Sequence, residues 1–178
     1  FMSLIESGNT AAMFIWGLIN RQARGIAENP EEAWKWLNIA QFSGIRLPAP
    51  NPLEYLEKKM TAEKCHQLFK EALRWLETHR SRPLKWSQLQ SIFREKLTDK
   101  KPEKWLELGK LFKTGAEGFL RAPILAFGCF KLAALNGSSE ALKESEIVKQ
   151  LVPSWLLEKS PKIVMLMEKT GRLPASED

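Results

Sequence analysis

The sequence predicts an all-α protein, on three observations. Apolar residues recur at the helical spacing along almost the whole chain. Asparagine, serine or threonine repeatedly precedes a proline or an acidic residue, the pattern that opens a helix, and glycine follows where the pattern stops. Strand signals are missing: no short β-branched run is bounded by turn residues, and the Asn136-Gly137 pair falls at a helix end.

The elements follow in order. Ala12, Ile15, Trp16 and Ile19 stand at i, i+3, i+4 and i+7, the stripe of a helix packed on one face. Asn29, Pro30, Glu31 and Glu32 then open a second helix. The asparagine accepts from otherwise unpaired amides, proline needs no donor there, and the carboxylates favour the positive helix end. That helix is expected to bury Ala33, Trp36, Leu37 and Ala40 and to stop at Gly44 in a left-handed cap. Three prolines within Arg46–Pro52 cannot continue a helix. Further helices are expected at 53–60, 62–79 (opened by Thr61), 84–98 (after Ser81-Arg82-Pro83), 102–114, 122–136 and 139–150. A last one is expected at 161–170, capped by Ser160.

Length and composition limit the classes. With 178 residues, 44% hydrophobic and 27% charged, the chain has material for one domain with a real core, which excludes wholesale disorder. The longest apolar run, Ala11 to Ile19, is far short of the roughly 18 residues that span a bilayer. A secretory signal is not legible, because Ser3, Glu6 and Ser7 interrupt it. Phe1 ahead of Met2 reads as a remnant or as the start of a fragment, so a removed leader stays open. Cys65 and Cys129 are too few for a disulfide framework, and a cytoplasmic, reducing setting is the default; a removed leader would make it periplasmic or secreted.

The net charge of +6 is localised. Residues 53–104 carry 13 basic against 8 acidic side chains, whereas the flanking segments are nearly balanced. A local surplus suits an acidic partner better than a diffuse one. Yet lysines and glutamates alternate at Glu54, Glu57, Lys58, Lys59, Glu63 and Lys64, which also fits an ordinary solvated helix face.

An internal repeat is visible. From Ala12 the chain reads Trp16-Gly17, Asn20, Ala23, Gly25, Asn29, Ala33, Trp36, Ala40 and Gly44. From Lys104 it reads Leu108-Gly109, Phe112, Gly115, Ala126, Cys129, Ala133-Ala134 and Gly137. The offsets agree through the first helix, and the second copy then gains one residue in its turn. A large apolar residue followed by glycine on one helix, with alanines on the next, is what two tightly crossing helices need: glycine and alanine let the backbones approach and the large residues fill the space beside them.

This pattern resembles the SEL-one-like repeat, a relative of the tetratricopeptide repeat. Departures include Asn20 for an aromatic residue, Ala23 for glycine and Cys129 for tryptophan. The resemblance implies a short, irregular α/α solenoid of antiparallel helix pairs. Residues 12–44 would be the first repeat and 104–137 the second. Residues 45–101 would be an irregular helical insertion or diverged repeats, and 138–178 would be capping helices.

Candidate chemistry is sparse. Glu63 and His66 have the Glu-x-x-His spacing of carboxylate-bridged di-iron bundles, but no second copy exists, so no metal is expected. The cysteines lack zinc spacing and read as buried thiols. Lys113-Thr114-Gly115 matches a motif of penicillin-recognising enzymes, yet its Ser-x-x-Lys companion is missing. Gly115-Ala-Glu-Gly118 reads as a turn and not as a phosphate loop. Among the tryptophans, Trp34 lies off the core stripe, open either to a partner or to a neighbouring helix. Trp75, Trp86 and Trp105 recur beside basic residues, as in a nucleic-acid surface, although no recognition motif accompanies them.

With no acid, base or nucleophile set to assemble, the expectation is a non-enzymatic scaffold without a cofactor. The resemblance implies an adaptor of bacterial type that binds a protein or peptide, with no small-molecule substrate. By analogy with tetratricopeptide grooves, Asn20, Arg21, Arg24, Lys110 and Lys113 are the expected contacts, with Trp34 as a further anchor. The cations would suit an acidic segment. A nucleic-acid-binding helical module using residues 53–104 is the alternative.

Overall fold

A computed structural model describes residues 1–79, 86–116 and 119–174. Within them the chain is helical and holds no strand. The helices are α1 (Met2–Glu6), α2 (Thr10–Gln22), α3 (Pro30–Phe42), α4 (Pro52–Glu57), α5 (Ala62–Thr78) and α6 (Trp86–Thr98). They continue with α7 (Lys104–Thr114), α8 (Pro123–Leu135), α9 (Ser139–Val148) and α10 (Lys159–Thr170), with short 3-10 turns at Lys149–Leu151 and Ser154–Leu156 between the last two. The expected break at Ser81–Pro83, the end of the turn at Gly118 and the side chain of Trp86 lie outside the described residues.

Side-chain caps set the helix starts. Asn9, Asn29, Thr61 and Ser138 each accept from the amide three residues on, at 2.9 to 3.1 Å, which satisfies one of the donors a helix start leaves unpaired. Asn51 caps α4 from two residues away. Ser160 departs from its expected capping role. Helix α10 begins at Lys159, and the Ser160 hydroxyl, fully buried, donates to the Ile124 carbonyl of α8. Pro161 stays compatible because the first helical turn needs no proline amide. The short α1 carries no sequence signal and was not expected.

Two helices organise the core. Helix α3 packs on α2, α4 and α5, and helix α8 packs on α7, α9 and α10. This central place explains why α8 is apolar on all sides from Pro123 to Phe130, where every residue is buried. Phe93 of α6 meets Phe112 of α7 with ring centroids 6.1 Å apart.

The pairs α2/α3 and α7/α8 share their local bonding. Asn29 N donates to Asn20 O, and at the matching place Ala122 N donates to Phe112 O. At the end of α3, Ser43, Gly44 and Ile45 donate to Ile39, Gln41 and Ala40. At the end of α8, Asn136, Gly137 and Ser138 donate to Leu132, Ala134 and Ala133, the same three bonds 93 positions on. The crossings match too. A methyl group on Gly17 would come within 2.7 Å of Leu37 Cγ, and one on Gly109 within 2.5 Å of the Phe130 ring. Leu37 and Phe130 are themselves 93 positions apart, so the same glycine admits the same large partner in both pairs.

Candidate binding cleft

The two halves of the molecule are joined by buried polar groups. Arg121 stands in the link between α7 and α8, and Glu57 ends α4; each is 5% exposed. Arg121 Nε donates to Glu57 Oε1 at 2.6 Å and its Nη2 to Oε2 at 2.8 Å, while Nη1 donates to the Lys113 carbonyl at 2.7 Å. The Trp34 indole donates to the same Oε1 at 3.0 Å. The Asn38 side chain then takes both backbone groups of Arg121, accepting from its N–H and donating to its C=O at 2.9 Å each. A buried ion pair is tolerable only when such bonds satisfy its remaining donors and lone pairs, and here they do.

Above this pair lies a cleft of about 510 Å³, walled by α4, the α7–α8 link and the end of α9. Glu57, Arg121 and Lys113 form its charged side, Met60, Ile147 and Leu151 its apolar side, and Glu54 and Lys58 its rim. Ile147 is exposed at this edge, and Glu54 stands 3.9 Å from Arg121. The Cys65 thiol is pushed up to about 12, first by burial and then by the charge of Glu57, and burial also pushes the Cys129 thiol up. A thiolate is therefore strongly disfavoured at both. No grouping of three or more histidine, cysteine, aspartate or glutamate side chains suited to a metal ion occurs among the described residues.

The six residues singled out from sequence do not form one surface. Trp34 is fully buried and bonded to Glu57 of α4, so of its two readings the neighbouring helix holds and the open anchor does not. Helix α3 has neighbours on two faces, so the position opposite the α2 contact meets α4 and α5 instead of solvent. Asn20 is also buried and not outward. Its amide donates to the Trp16 carbonyl at 2.8 Å, inside the crossing where Phe112 stands in the second pair. Arg21, half-buried, stacks its guanidinium 5.3 Å from the Tyr55 ring centre, and Arg24 is exposed.

Lys110 and Lys113 sit together but are already engaged. Lys110 Nζ lies 2.7 Å from Glu140 and Lys113 Nζ 2.6 Å from Glu144, so α9 supplies the acidic segment these lysines suit. The hydrogen bond to Glu140 holds the Lys110 ammonium above its ordinary pKa. The basic middle third is partly neutralised in the same way: Lys59, Lys64 and Lys104 reach Glu28, Glu31 and Glu168.

Glu57, Asn38 and Arg121 were not among the sequence candidates. Arg121 carried a usable signal, as the one charge in the apolar run from Phe119 to Phe130. Glu57 carried none, since it looks like any glutamate of an amphipathic helix. Trp155 was also missed: it is exposed, edge-on to His66 at 6.0 Å, with Lys159 5.6 Å from its ring. No family model matches the chain, and comparison with curated proteins and with solved structures gives no significant match. No helix among the described residues is long and apolar enough to cross a membrane.

Proposed function

We propose that the chain is a non-enzymatic helical-repeat scaffold that binds a partner polypeptide in the cleft above Arg121 and Glu57. The observation that carries this reading is the cleft's pre-organised floor. The guanidinium and carboxylate hold each other in a bidentate pair, while Met60, Ile147 and Leu151 offer apolar surface beside them. Such a floor suits recognition, because ordering it costs nothing at the moment of binding. Lys58 at the rim favours a partner with an acidic residue next to an apolar one.

The shared bonding of the α2/α3 and α7/α8 pairs supports reading the chain as an irregular α/α solenoid of the SEL-one-like kind. The contact surface proposed here differs from the one expected from sequence: it leaves the first helices of the two pairs, where Asn20 is buried and the α7 lysines are bridged to α9, for the α4–α9 cleft that Lys113 borders.

The test is capture of a partner by the parent, by Ile147→Asp and by Lys58→Glu, with and without nuclease. The reading expects a saturable protein ligand that survives nuclease and is weakened at least about tenfold by Ile147→Asp. A ligand removed by nuclease, with affinity falling steeply with salt, would favour the nucleic-acid module instead.

A further inference from the structure

The two helix pairs differ in what covers their ends. Counting back from the equivalent pair Asn29 and Ala122, residues Ile26, Ala27 and Glu28 correspond to Phe119, Leu120 and Arg121. The second set is buried: Phe119 packs edge-on against Phe112 of its own pair, ring centroids 5.2 Å apart, while Arg121 is held from the first half by Asn38, and Gln41 donates to Thr114 O at 2.9 Å. The first set is exposed, Ile26 to 41%.

The receiving surface shows the complementary difference. A cleft of about 500 Å³ lies between the end of α3 and residues Thr114–Ala116, lined on the α3 side by Gln41, Gly44, Ile45, Arg46 and Ala49. A cleft of about 510 Å³ occupies the matching place at the end of α8, lined by the counterparts Ala134, Gly137, Ser138, Ser139 and Leu142. No α7-type turn walls this second cleft; Lys131, Leu135 and Pro161 complete it. Leu135 is 81% exposed, whereas its counterpart Phe42 is 4% exposed.

We propose that the chain self-associates head to tail, the α2–α3 link of one copy seating on the end of α8 in the next. The contact repeats the joint that α3 makes inside the molecule with the α7–α8 link. Ile26, exposed where its counterpart Phe119 is buried, meets Leu135 and Leu142. Glu28 takes the place of Arg121 and Lys131 that of Asn38, so the Lys131 ammonium donates to the Glu28 carbonyl as the Asn38 amide does to the Arg121 carbonyl, with the Glu28 carboxylate beside it as a countercharge. Glu28 holds Lys59 at 2.5 Å in the single chain, and the Lys131 ammonium rests 5.5 Å from the Phe127 ring centre. Both are rim pairs that can exchange partners at little cost. A contact between two different surfaces builds a ring or an open array, not a closed symmetric dimer.

Sedimentation velocity from micromolar to near-millimolar protein tests this. The parent should show a mass that rises with concentration. Ile26→Asp and Leu135→Asp should each weaken association at least about tenfold, because each buries a charge in the contact. Mixing the two variants should restore a one-to-one complex and nothing larger, since each keeps one intact surface. Glu28→Lys combined with Lys131→Glu should associate where either alone does not, and decides the matter should an aspartate variant lose helicity. A parent that stays a single chain throughout, or an Ile26→Asp variant that associates like the parent, overturns the proposal.

Discussion

Arg121 grips both carboxylate oxygens of Glu57 with two different nitrogens, at 2.6 and 2.8 Å, and neither residue is more than 5% exposed. The pair ties the α7–α8 link to α4 across 64 positions of sequence. Replacing either partner alone leaves a charge buried without its counterion, a far larger penalty than the pair's own net worth.

Arg121→Ala and Glu57→Ala should therefore each destabilise the fold by about 3–5 kcal/mol. An apolar double replacement, Glu57→Leu with Arg121→Met, should recover much of that loss. Denaturant titration of the three variants checks it, and equal losses for single and double variants would show that the hydrogen bonds, not the charges, dominate.

The helix crossings give a second expectation. A methyl group at Gly17 or Gly109 would stand 2.7 or 2.5 Å from its neighbour, so Gly17→Leu and Gly109→Leu should each cost roughly 1–3 kcal/mol or more by overpacking. Thermal melts that match the parent would mean that the crossings relax without strain.

Ala23 and Gly115 close the first helices of the two pairs, both in the left-handed region, with φ of 54° and 75°. A side chain is disfavoured there, by about 1–2 kcal/mol for ordinary residues. Ala23→Gly should thus stabilise the protein, although the gain is reduced by glycine's greater freedom in the unfolded chain. A lower melting temperature for Ala23→Gly would contradict this.

His66 gives a pH dependence. Burial, followed by the charge of Lys70, lowers its pKa below the ordinary value of about 6.5. The unfolded chain therefore binds the proton more readily, and stability falls as pH drops below about 6.5 until the lower folded pKa is passed. His66→Gln should flatten that part of the stability profile. An unchanged slope between pH 7 and pH 5 in the variant, values that bracket about 6.5, would assign the effect to other groups.

The two thiols give the last expectation. Cys65 and Cys129 are buried, with pKa values pushed upward, so a thiol reagent should modify neither at an appreciable rate in the folded protein and both at once in denaturant. Rapid labelling of Cys65 in native buffer would show that the α4–α5 region opens locally.

What the sequence determined by itself is local. Asn29-Pro30-Glu31-Glu32 fixes the start of α3 and Gly44 its exit, because capping and left-handed backbone depend on a few neighbouring residues. The paired spacings of Gly17 and Gly109 mark where helices cross closely, since only a missing side chain admits Leu37 or Phe130. The tertiary structure alone decided which faces meet. Trp34 stands about 200° from the α2-facing stripe, and whether that means solvent or a second buried face depends on α4 and α5, which no residue of α3 announces. Lys110 and Lys113 read as free cations until α9 brings Glu140 and Glu144 to them across about 30 positions. Glu57 and Arg121 become a site only because the packing of α3 removes both from water and aims them at each other.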